Sequence, residues 1–215
     1  MKILHSLLYL FLIFFYAFYC MACSDDNPEG EANRTFSIKE SDLQQDCTQA
    51  QTTLSIPVST TLNEQEWSVM SDQPWCIAAK DLSTSTPSIK LLIQASEEPE
   101  IRNTIVTVKS SVQNYTINVR QLGYGPAILV KSSATDIEAN GGQITITVTS
   151  NIEYTTDKSK DGEWLQETDE VPSTRALVDK NYIYNATPNP LYEPRTVTFT
   201  YTYIKDDKIK ETYTI

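Results

Sequence analysis

Trp75, Tyr124, Trp164 and Tyr192 are the side chains of this sequence best suited to chemistry, and that chemistry is recognition. Each lies beside Pro, Gly or charged residues in a segment that reads as a loop. Rings of this kind pack on apolar C–H faces such as those of sugars, while neighbouring Asn, Gln and Asp bond the hydroxyls. The competing reading of each ring is a plug at the end of a folded layer. Other aromatics have the spacing of a core. Trp67 alternates with Val69, Tyr115 shares a face with Ile117, and Tyr201 and Tyr203 share one with Val197 and Phe199. Arg102 and Arg195 read as packing over neighbouring strands or bonding turn carbonyls.

Catalytic readings find little support. The one histidine is His5, and beyond it no imidazole base, Ser-His-Asp triad or histidine metal ligand can be assembled. Cys47 and Cys76 have no histidine to activate a thiol. The close carboxylate pairs, Glu97-Glu98, Asp169-Glu170 and Asp206-Asp207, are neighbours in turn-like segments. Adjacent residues of extended chain point opposite ways, whereas a glycosidase needs two carboxylates facing across a cleft. Glycine-rich phosphate loops and calcium-loop spacings are missing. The expectation is no catalytic residue, no metal and no cofactor. A pI of about 4.5 and a net charge of −11 argue against nucleic acid, whose phosphates need clustered Lys and Arg.

The elements that must position these groups begin after residue 22. "SLLYLFLIFFYAFYCMA" is apolar almost throughout, and "SDDNPEGEANR", after Cys23, is acidic and rich in turn formers. An apolar segment ending at Ala22-Cys23 resembles a bacterial lipoprotein signal, although Cys20 and Met21 stand where Leu and a small residue are usual. The resemblance implies cleavage after residue 22 and a lipid anchor on Cys23. Asp25-Asp26 resembles the surface-export signals of Bacteroidetes lipoproteins, which implies the outer face of the outer membrane; a periplasm-facing anchor is the alternative. A retained membrane helix is the competing reading, since about 20 apolar residues span a bilayer. Residues 23–33 read as a flexible tether. Loss of residues 1–22 leaves 16 basic against 28 acidic residues, a net charge of −12.

Two cysteines then remain, Cys47 and Cys76. In an oxidising compartment they suggest one disulfide, which by the chain-entropy model would contribute roughly 3.5 kcal/mol. Two buried thiols are the alternative.

From Phe36 onward the grammar is all-β. "TTLSIPVST" places Leu54, Ile56 and Val58 on one face, and Pro57 marks an edge strand. "SIKLLIQA", "NTIVTVKS" and "YTINVRQL" keep period-two spacing. "GYGPA" at Gly123–Ala127 breaks the ladder, and the pattern restarts with "AILVKSS", "ANGG" and "QITITVTS". Tyr154 then answers Trp67, Trp164 answers Trp75 and Arg195 answers Arg102, at offsets of 87, 89 and 93 residues. The expectation is two tandem sandwiches, 34–123 and 124–215. Matching Tyr115-Thr116-Ile117 to Tyr213-Thr214-Ile215 leaves the second closing strand without a counterpart of Asn118–Gly123, which implies a shortened last strand or a longer parent chain.

Trp-Ser-Val, a second Trp in a loop, Arg-Asn-Thr before a strand and a final "VRQLG" resemble the BACON domain (Bacteroidetes-Associated Carbohydrate-binding Often N-terminal), over about residues 35–123 and more weakly over 126–215. Departures in the second half are Tyr154 for the first Trp and the missing terminal Gln-x-Gly. The resemblance implies immunoglobulin-like β-sandwiches and a proposal of glycan or mucin binding, which fold alone does not establish. A structural spacer for a downstream domain is the second reading.

Overall fold

The computed structural model describes residues 34–168, 179–191 and 193–215, so Cys23 and Tyr192 lie outside the described residues. The first group of strands comprises β1 (Phe36–Ser37), β2 (Gln44–Cys47), β3 (Thr52–Pro57), β4 (Ser59–Thr60), β5 (Trp67–Ser71), β6 (Cys76–Asp81), β7 (Ser88–Ile93), β8 (Arg102–Ser110) and β9 (Tyr115–Gln121). The second comprises β10 (Ile128–Ser132), β11 (Gly142–Ser150), β12 (Tyr154–Lys158), β13 (Leu165–Glu167), β14 (Lys180–Ala186), β15 (Thr198–Tyr203) and β16 (Lys210–Thr214).

The first group forms the sheets β2-β9-β8-β5 and β3-β7-β6, with a small β1-β4 ribbon. Ile56, Ile89, Leu91, Ile93, Val106, Val108, Ile117 and Val119 fill the space between the two sheets. Alternation explains this set, because each strand turns every second side chain inward. Pro57 lies on an edge strand, as its missing N–H requires. The second group forms β10-β11-β14-β13 and β12-β15-β16 around Ile144, Ile146, Val148, Tyr184, Phe199 and Tyr201. Both are immunoglobulin-like β-sandwiches. Gly141, at φ 80°, turns the chain into β11 in a conformation that a side chain would strain.

The shared landmarks fall at equivalent points. Trp67 opens β5, which pairs with β8; Tyr154 opens β12, which pairs with β15. The register of the closing hairpin differs from the sequence match. Thr104, two residues beyond Arg102, lies opposite Val119. Val197, two residues beyond Arg195, exchanges both backbone hydrogen bonds with Ile215. Ile215 therefore answers Val119 rather than Ile117. The cause is the turn: Ile204–Ile209 separates β15 from β16, whereas only Ser111–Asn114 separates β8 from β9.

The opening strands also differ. β2 runs parallel to β9, while β10 pairs antiparallel with β11 in the other sheet. This difference builds the junction, which lies inside one compact unit, Thr35–Ile215. Arg120 bonds both oxygens of Asp46 at 2.8 Å and donates from Nη2 to the Val130 carbonyl at 2.7 Å. Gln44 Nε2 donates to the same carbonyl, and Lys131 Nζ donates back to the Gln44 carbonyl. Leu122 and Leu129, 1% and 2% exposed, belong to neither core. Leu129 must point away from the core that its neighbours Ile128 and Val130 enter.

The linker is held on both sides. Tyr124 and Gly125 donate backbone hydrogen bonds to Glu98 and Pro99, and Asn151 bonds the Gly123 and Gly125 carbonyls and the Ala127 amide. A Cβ at Gly123 would lie 2.4 Å from the Glu98 carbonyl oxygen, so only glycine fits there.

The expected disulfide is not formed: Cys47 and Cys76 are free and buried. Cys47 ends β2 and Cys76 opens β6, strands of different sheets, and both pack as small apolar groups in one core. Burial and the Asp46 charge push the Cys47 thiol up to about 12, and burial also raises that of Cys76. A thiol kept protonated in the fold but ionising near pH 8.5 when unfolded stabilises fully below that pH and loses its contribution as pH rises towards the folded value. In a chain starting at residue 34, Ellman's reagent should find no thiol until denaturant is added, and then two. Stability measured by urea melts should fall less between about pH 8 and pH 11 in a Cys47→Ala variant than in the parent.

Candidate binding surfaces

The two loop tryptophans occupy matching structural posts. Gln94 donates its backbone N–H to the Trp75 carbonyl at 2.8 Å, and Thr187 does the same to Trp164 at 2.9 Å. The Arg102 guanidinium stacks 4.3 Å from the Trp75 ring centre, and that of Arg195 stacks 4.6 Å from Trp164. Each arginine also bonds the carbonyl eight residues behind it, Gln94 or Thr187. Both rings are half-buried against their own core. One ring face is thus covered by a cation and part of the rest by apolar side chains, an arrangement that caps each sandwich. Tyr124 is 61% exposed on the linker. The structure does not gather these rings: Trp75 serves the first core, Trp164 the second, and Tyr124 neither.

Beside Trp75 the cap is completed by Gln121, a fully buried polar side chain. Its Nε2 donates to the Gln49 and Gln94 carbonyls at 3.1 and 3.0 Å, and its Oε1 accepts from Arg102 Nε at 2.8 Å. Every strong donor and acceptor there is satisfied, as burial demands.

A surface the aromatics do not reveal lies on the outer side of the four-stranded sheet in the first sandwich. It is a groove of about 560 Å³ lined by the amides of Gln44, Gln73, Asn103 and Asn118. Asp72 and Arg120 add opposite charges, and Ile105, 43% exposed, provides an apolar patch. The register explains the grouping. Asn118 lies directly opposite Ile105, and Asn103 directly opposite Arg120, so all four point to the same outer face. Gln73, Asn103 and Asn118 spend none of their side-chain hydrogen bonds within the described residues. Such a surface offers donors and acceptors of both kinds around an apolar floor, which suits a hydroxyl-rich ligand lying flat. The sequence signal was present in the outward parity of Asn103, Ile105, Asn118 and Arg120, but it has the look of any solvated sheet face.

A second cleft, of about 320 Å³, opens at the end of the other sandwich beside Trp164, Thr187, Arg195 and Ile215. The Trp164 Nε1 is buried there without a hydrogen-bond partner among the described residues.

Residues 65–122 match the family model BACON, whose description reads "Putative binding domain, N-terminal". No curated protein matches the chain. Among solved structures, a Bacteroides ovatus GH5 xyloglucanase in complex with a XXXG heptasaccharide is similar to 42% of this chain, at 18% identity and a TM-score of 0.35. A chimeric titin Z1Z2 is similar to 85% of the chain and to 95% of its own length, at 13% identity and a TM-score of 0.32. An endo-fucoidan hydrolase of glycoside hydrolase family 107 is similar to 80%, at 10% identity and a TM-score of 0.31. The chain spans only 19% of the xyloglucanase and 26% of the fucoidan hydrolase. All but one of the groove residues, Gln44 being the exception, fall within the stretch that matches the family model. The stretch that matches the BACON family model thus lies in the first sandwich.

Proposed function

We propose that this chain is a non-enzymatic binding module of the cell surface, anchored through lipid on Cys23, and that it takes carbohydrate in the amide groove of the first sandwich. The observation that carries this reading is the coincidence of the groove with the residues that match a binding-domain family. Amide side chains with unspent donors and acceptors suit sugar hydroxyls, and Ile105 offers an apolar contact for a ring face. The second sandwich, which repeats the Trp–Arg cap, is read here as a diverged copy of the first. Mucin glycans are one ligand class within this proposal.

A spacer role is the second reading, and the clamped junction favours it. Arg120, Asn151 and the two linker glycines tie the sandwiches through side-chain and backbone hydrogen bonds. Such a junction would carry whatever lies at one end at a fixed distance from the other. Small-angle scattering from a chain starting at residue 34 should fit one inter-sandwich arrangement; a broad distribution of separations would remove the spacer reading.

Glycan-array and mucin pull-down assays test the principal reading. The parent protein should retain a defined set of oligosaccharides, and Asn103→Ala with Asn118→Ala should weaken the best of them about 10- to 100-fold, two lost hydrogen bonds' worth. Retention of no glycan by the parent would remove it. The anchor is tested separately: Cys23→Ala should move the protein from the membrane fraction to the soluble one, whereas unchanged anchoring would mean a retained helix.

A further inference from the structure

Two rows of side chains cross the outer face of the sheet β2-β9-β8-β5, perpendicular to its strands. In the first row the Asp72 backbone N–H donates to the Ile105 carbonyl at 3.0 Å, Ile105 lies opposite Asn118, and Asn118 lies opposite Gln44. Three strand spacings of about 4.8 Å make this row roughly 14 Å long, enough for more than one sugar ring laid across the strands. In the second row Asn103 lies opposite Arg120, and Arg120 lies opposite Asp46.

The charges of the groove are unequal. Arg120 is its one cation, and that cation is already spent. Its Nε and Nη2 bond the two Asp46 oxygens at 2.8 Å, and Nη2 also bonds the Val130 carbonyl at 2.7 Å. Only 24% of the arginine side chain is exposed. Glu211, on β16, lies near enough for the charges of Arg120 and Asp46 to act on it. One guanidinium thus answers two carboxylates. At the other end of the first row Asp72 is exposed, and its carboxylate has no hydrogen bond or ion pair among the described residues. An ionised carboxylate accepts from hydroxyls and has nothing to donate to an anion. A ligand bearing sulfate or carboxylate would meet negative charge here without a free cation, and the chain's net charge of −11 has the same sign.

We infer that the groove selects an uncharged glycan, laid along the row from Asp72 to Gln44 with a hydroxyl bonded to Asp72, and rejects sulfated and sialylated ones. Asp72 is the specificity-determining residue, since its charge alone in the groove is unbalanced. The inference rests on the reading of this groove as a carbohydrate site.

The test uses the full chain in detergent and oligosaccharides in matched pairs, one neutral and the other bearing sulfate or sialic acid. At low salt the neutral member should bind about 10-fold more tightly, the effect of one like charge roughly 6 Å away in a medium between protein surface and bulk water. The gap should narrow in about 1 M salt, where charges are screened within roughly 3 Å. Asp72→Asn keeps the shape and one accepting oxygen but removes the charge, and it should raise the ratio of anionic to neutral affinity about 10-fold. Anionic members retained as tightly as their neutral partners, or a ratio that Asp72→Asn leaves unmoved, would overturn the inference and leave the groove a carbohydrate site. Retention of neither member of any pair would remove both.

Discussion

The Arg120–Asp46 pair is the interaction on which most of the molecule's organisation turns. The Asp46 side chain is wholly buried, and a carboxylate so placed is tolerable only with a partner that saturates it. Arg120 meets that need with a two-pronged contact, and its remaining Nη2 hydrogen bond crosses to Val130. One guanidinium thus secures the parallel strand β2 against β9, lines the groove and seats β10 against the first sandwich. Glu211 is drawn into the same neighbourhood: burial raises its carboxyl, while the nearness of Arg120 pulls in the other direction.

The two faces of this sheet are built for different surroundings. The inward faces of β8 and β9 are apolar and make the core, whereas their outward faces present amides and one exposed isoleucine. The aromatic residues, the obvious choice for stacking on sugar, are largely committed to the cores and the caps. A tryptophan under a guanidinium gains a cation–π contact worth roughly 0.5–2 kcal/mol, and another ligand on that face would have to displace it. Under the proposed function, shape and hydrogen bonding therefore weigh more than stacking in what the first sandwich takes.

Much of this was legible in the residues. Period-two spacing at Ile89, Leu91 and Ile93 or at Ile144, Ile146 and Val148 identifies strand faces, because a one-residue slip would expose them all. The paired tryptophans and arginines can be matched in sequence because their roles are local, within eight residues of a bonded carbonyl. Other features lie beyond local pattern. "QQDC" has no alternation that would announce a parallel strand, and its pairing with β9 depends on a residue more than seventy positions away. Spacing between Cys47 and Cys76 carries no information on which sheet each joins. Matching Tyr-Thr-Ile to Tyr-Thr-Ile misplaces the last hairpin by two, since two extra turn residues leave no trace in the strands themselves. The groove draws on β2, β8, β9 and the turn after β5, and no single segment contains enough of it to be noticed.

Leu129 has a consequence for how the chain acquires its fold. Its strand is apolar on both sides, and a second half made in isolation would give up the Arg120 hydrogen bond to the Val130 carbonyl and leave water in its place. The earlier-synthesised half presents the complementary donors, Arg120 Nη2 and Gln44 Nε2, from strands already paired with one another. Vectorial emergence from the ribosome delivers the two in the favourable order, with the finished surface ready to template the nascent strand that follows.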